Sequence, residues 1–129
     1  MEKYLYFRTQ ATIGDDDDAA QSACFPLSSF VGMHPTADDT LALHFKPQIA
    51  VSGDGQSGSV VNTDKVILTL GTVNTHKEAM EGLVKAFEDA KAFKGNPFIV
   101  VADDLSTVTS YLVSEVSAVS TIALSPAVA

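Results

Sequence analysis

Apolar and polar positions alternate one by one through YLYFRTQATI, Tyr4 to Ile13. Leu5, Phe7, Ala11 and Ile13 share one face with Thr9 between them, and Tyr6, Arg8, Gln10 and Thr12 share the other. A period of two with aromatic and β-branched content predicts a half-buried strand. In ACFPLSSFVGM, Pro26 interrupts an apolar run and predicts a short or edge strand near Ser28–Met33, because proline donates nothing to a central ladder. HPTADDT reads as a turn, and TLALHFK as the next strand, with Leu41, Leu43 and Phe45 inward and Ala42 and His44 on the opposite face. Gly53, Gly55 and Gly58 punctuate residues 51–62, which read as a flexible glycine-rich hairpin arm or loop. KVILTLGTV then predicts a buried strand.

The period changes at NTHKEAMEGLVKAFEDAKAFKG. Ala79, Met80, Leu83, Val84, Phe87 and Ala90 recur at the spacing of one helical face, predicting the main helix over residues 75–93. Thr75 and Glu78 have the spacing of a capping box, and Gly95 with Pro97 two residues on stops the helix. PFIVVADD is a continuous apolar run expected to be a strand buried on both faces. From residue 104 to 117 the pattern fits a loop or short helix, and a last strand is expected near Val119–Leu124. Strands, one helix, then strands predict a single domain, 1–129, of the α+β class. Its expected form is a mainly antiparallel sheet of five to six strands with the helix packed on it.

Charge narrows the function. Asp and Glu outnumber Lys and Arg 16 to 8, a net charge of −8, and such a field repels nucleic acid and anionic membranes. Apolar residues make up 46% of the chain and charged ones 19%. That surplus in a small domain points to an interface, and homo-oligomerisation is the expected form of association. One cysteine, Cys24, permits no internal disulfide and fits a reducing compartment. No apolar run reaches the length of a membrane span, and no basic-then-apolar leader opens the chain, so a soluble protein is expected.

Candidate chemistry is sparse. GDDDD places Asp15, Asp16, Asp17 and Asp18 side by side, but a calcium loop needs ligands at alternating positions, a central glycine and a closing glutamate. Neighbouring side chains on an extended segment point to opposite sides. The run therefore reads as a solvated loop, with weak Ca²⁺ or Mg²⁺ binding as the rival. Asp38–Asp39 and Asp103–Asp104 read as turn residues. His34, His44 and His76 lack the spacing of a zinc site. Cys24, among apolar neighbours, reads as an inert thiol. SGDGQSGS lacks the Gly-Lys-Ser/Thr ending of a phosphate loop. No catalytic residue and no cofactor are implied.

The segments MEKYLYFRT, DDDD, SACFPLSSFVGMHPTADDTLALHFK, NTHKEAM and FIVVADD together resemble small proteins of marine T4-like phages, notably cyanophages. None of these segments is a catalytic signature. What the resemblance implies is a virion- or head-associated role, contact with other phage structural proteins, and residence in the host cytoplasm during infection or in the virion. With the composition, it leads to the expectation of a non-enzymatic structural or assembly subunit acting as a homo-oligomer. Contacts are expected around Gly53–Gly58 and the C-terminus. Two rivals stand beside it: an acidic accessory module that binds a host or phage protein, and a divalent-metal enzyme using Asp103, Asp104 and a histidine.

Overall fold

A computed structural model of the chain describes residues 2–11, 14, 17–18, 20–47, 63–92, 97–105 and 110–124. These residues form eight strands and one α-helix in the order β1 (Tyr4–Arg8), β2 (Ser22–Pro26), β3 (Phe30–Ala37), β4 (Thr40–Phe45), β5 (Asp64–Leu70), α1 (His76–Ala92), β6 (Phe98–Asp103), β7 (Ser110–Tyr111) and β8 (Val116–Ala123). The fold is α+β. The expected single sheet is instead two four-stranded sheets, ordered β2-β1-β6-β7 and β3-β4-β5-β8. The second is antiparallel throughout, whereas the first contains a parallel pair, β1 with β6. The glycine arm expected at 51–62 lies outside the described residues.

Local sequence explains where several of the strands begin and end. The first strand stops at Arg8, and the Thr9 amide donates to Gln21 O (2.9 Å), so the chain turns back into β2. Pro26 closes β2, an edge strand, and its missing N–H costs the ladder nothing. A 3-10 turn, Leu27–Ser29, then separates β2 from β3 where one short strand was expected. His34 to Ala37 belong to β3, so the turn narrows to Asp38–Asp39. The expected burial of the Phe98 strand on both faces also fails, because Phe98 is exposed. Between Asp104 and Glu115 the described residues hold no helix but the two-residue β7.

The inner faces of the sheets meet through aromatic rings. Phe25 of the first sheet stacks on Phe45 of the second, with centroids 4.3 Å apart and planes 7° apart. Phe7 lies edge-on to both, at 5.9 Å from each. Phe30 carries the contact onward, 5.6 Å from Phe45 and 5.4 Å from Phe87 of α1. The helix buries Ala79, Leu83 and Phe87 in this one core. Val84, placed on the buried face by its spacing, is 49% exposed because the face that α1 buries is narrower than the apolar stripe. At Gly82 the helix has no side chain, and Val113 fills that space.

Candidate functional site

The β3–β4 hairpin builds the most concentrated polar chemistry of the described residues. Its two-residue turn, Asp38–Asp39, follows the pairing Ala37↔Thr40, and the register then skips Thr36 to pair Pro35↔Leu41 and His34↔Ala42. A one-residue bulge moves every later side chain to the other face relative to its partner strand. His34 is thereby placed diagonally from His44 on the outer face of the second sheet. Their Nε2 atoms stand 2.9 Å apart. The centroids are 5.0 Å apart with planes inclined by 15°, so the rings meet nearly edge to edge.

Both imidazoles are anchored from behind. His34 Nδ1 lies 3.0 Å from Pro35 O, and since a carbonyl only accepts, Nδ1 carries the proton. His44 Nδ1 lies 2.8 Å from the Thr63 hydroxyl, which serves as donor or acceptor. His44 titrates below the ordinary histidine range, first because it is partly buried, then because a second positive charge is disfavoured beside the His34 ring and Lys65. Gly32 and Lys65 are its cross-strand partners, and the glycine leaves one side of the ring open. Sequence spacing could not show this pair, because two histidines ten positions apart meet only through a bulged hairpin. His76 is elsewhere, donating from Nε2 to Thr40 O at 3.0 Å.

The carboxylates act as fasteners. Asp104 accepts from the Tyr111 hydroxyl (2.6 Å) and, through its other oxygen, from the Val119 amide (2.9 Å). Burial and this bond push the Tyr111 phenol up to about 12. Asp103 accepts from the Leu105 amide (3.0 Å) and lies 3.9 Å from Arg8 Nε. Asp38 and Asp39 offer backbone carbonyls to the Asn74 and Leu70 amides (2.8 and 2.7 Å). In the acidic run, Asp15 and Asp16 lie outside the described residues. Asp17 and Asp18 are exposed, and Asp18 accepts the Ala20 amide at 2.9 Å, a turn bond. Among the described residues no three His, Cys, Asp or Glu side chains gather as a metal cluster. Cys24 is half-buried, and burial raises its thiol, the opposite of an activated nucleophile.

Two apolar surfaces remain. On the outer face of the first sheet, register aligns Pro26, Tyr4 and Phe98 in one row and Cys24, Tyr6 and Val100 in the next. Tyr4 and Phe98 are 43% and 45% exposed, and the Tyr6 and Phe98 rings lie 5.2 Å apart. None of the six carries a charge. The second surface is a groove of about 460 Å³ floored by Leu27, Phe30, Val84 and Phe87 and rimmed by Glu2, Glu88 and Lys91. Glu2 closes its N-terminal side by accepting from the Ser28 hydroxyl and amide, which lowers its pKa. No helix of the described residues is long and apolar enough to cross a membrane. Comparison with family models, curated proteins and solved structures gives no match to this chain.

Proposed function

We propose that the protein is a non-enzymatic structural or assembly subunit that works by homo-oligomerisation, the role to which its composition and its resemblance to cyanophage proteins together lead. The observation that carries this reading is an uncharged patch on the outer face of the first sheet, where Tyr4, Tyr6 and Phe98 stand together and two of the three keep over two-fifths of their surface exposed. Such a face is costly in water, and apolar surface of this kind usually marks a contact. A second copy suits it best. The rest of the chain is strongly acidic, and a self-complementary patch free of charge lets two like-charged subunits meet without burying one.

The carboxylates support a non-enzymatic role. Asp103 and Asp104, the pair a metal enzyme needs, are occupied by the Leu105 amide and by Tyr111 and Val119. Light scattering coupled to size exclusion, run over a range of protein concentrations, tests the reading. A discrete oligomer that persists on dilution is expected. A monomer at the highest concentration overturns self-assembly and leaves the accessory-module role.

A further inference from the structure

Two anchored imidazoles whose Nε2 atoms stand 2.9 Å apart offer a ligand pair as well as a hydrogen bond. We propose that His34 and His44 bind one divalent transition-metal ion of the imidazole-preferring class, Cu²⁺ most strongly, then Ni²⁺ and Zn²⁺.

The argument starts from where the protons are. His34 spends its Nδ1 proton on Pro35 O, so in the neutral ring Nε2 presents a lone pair. His44 Nε2, 2.9 Å away, must then offer a proton or share a cation, since two lone pairs repel. Without metal, His44 donates from Nε2 while its Nδ1 accepts from Thr63. Metal entry moves that proton to Nδ1, the Thr63 hydroxyl turns from donor to acceptor, and both Nε2 lone pairs become ligands. The neutral pair releases no net proton. A hydroxyl is the group that fits both states, because it reverses without moving. This is the outer hydrogen bonding that holds metal-bound histidines, one ring on a carbonyl and the other on a hydroxyl.

Spacing selects the ion. With metal–nitrogen bonds of about 2.0 Å, cis ligands at a right angle stand about 2.8 Å apart and tetrahedral ligands about 3.3 Å. The 2.9 Å separation lies near the square-planar or octahedral value. The affinity order at such a site also places Cu²⁺ first. The rings now meet edge to edge, so each must tip to aim its lone pair at a common point. His34 is exposed on an edge strand, and Gly32 opposite His44 leaves room for that rotation. Water completes the coordination. Lys65 beside His44 opposes a cation and sets a limit on affinity. The ion would pin edge strand β3 to β4.

The test is titration of the full chain with Cu²⁺, followed by calorimetry and by electron paramagnetic resonance, with Mg²⁺ as the oxygen-preferring control. One Cu²⁺ per chain is expected, with a tetragonal spectrum showing two nitrogen ligands. His34→Ala or His44→Ala is expected to weaken binding by about 100-fold, and Thr63→Val by about tenfold, the range seen when the outer partner of a ligating histidine is removed. Lys65→Gln is expected to tighten it by less than about fivefold, the scale of an exposed charge. His76→Gln is expected to leave it unchanged. Circular dichroism checks that each variant is folded, and His34→Ala, at an exposed position, carries the result if His44→Ala unfolds. Equal binding by wild type and His34→Ala overturns the proposal, as does a spectrum without nitrogen coupling.

Discussion

Tyr111 and Asp104 meet at 2.6 Å, and the same carboxylate takes the Val119 amide at 2.9 Å. Tyr111 belongs to β7 of the first sheet and Val119 to β8 of the second. One side chain therefore joins the two sheets where their edges approach. Hydrogen bonds to a charged group are worth about 1.5–3 kcal/mol each, and losing the acceptor leaves two donors unsatisfied. Asp104→Ala is expected to lower the unfolding free energy by about 3 kcal/mol, and Tyr111→Phe by about 1.5 kcal/mol. Urea denaturation measures both. An unchanged midpoint for Asp104→Ala would show that the bridge contributes nothing.

The same contact makes stability depend on alkaline pH. Burial first, then the Asp104 hydrogen bond and the charges of Asp104 and Asp103, push the Tyr111 phenol up from 10.0 to about 12. The folded state thus favours the neutral phenol. Its stabilisation is complete below pH 10, the unfolded value, and is lost as pH rises through about 12. Ultraviolet titration of tyrosinate should show one late component that is missing in Tyr111→Phe. The stability gap between wild type and that variant should close over the same interval. Simultaneous titration of all tyrosines near pH 10 would contradict the assignment.

Gly82 predicts a reversal of helix propensity. An exposed helical glycine is normally improved by alanine, by up to about 1 kcal/mol. A Cβ at position 82, however, collides with Val113 Cγ1. Val113 is β-branched and rotates out of the way only with difficulty. Gly82→Ala is expected to destabilise by about 1–2 kcal/mol, the usual scale of overpacking. In a Val113→Ala background the same change should stabilise instead. Equal effects in the two backgrounds, read from a double-mutant cycle, would remove Val113 as the cause.

These contacts separate what is legible along the chain from what is not. The helix expected over 75–93 is His76–Ala92, because a stripe repeated through four turns is a local signal. Leu41, Leu43 and Phe45 are inward as alternation requires. The number of sheets is not local. Nothing in FIVVAD says that it pairs in parallel with Tyr4–Arg8, nor does SACFP announce a strand when proline ends it. The His34–His44 pair is harder still. Unbroken pairing from the Asp38–Asp39 turn sets His34 opposite Leu43, on the buried face. Only the skipped Thr36 places it opposite Ala42 and beside His44. A bulge is chosen by tertiary packing, so spacing alone misses the pair.

Assembly through the first sheet gives the last prediction. In a contact built on a two-fold axis, each residue meets the partner's copy of the same patch. Tyr4→Lys sets a charge in the row of Pro26 and Phe98, where the second copy brings another, and desolvating both is costly. Tyr4 is 43% exposed in the single chain, so monomer stability should change by less than about 1 kcal/mol. Val31→Lys, at a 59% exposed position on β3, is the control for added charge away from the face. Light scattering should find Tyr4→Lys monomeric and Val31→Lys assembled like wild type. Dissociation by Val31→Lys alone would move the contact to the free edge of the second sheet.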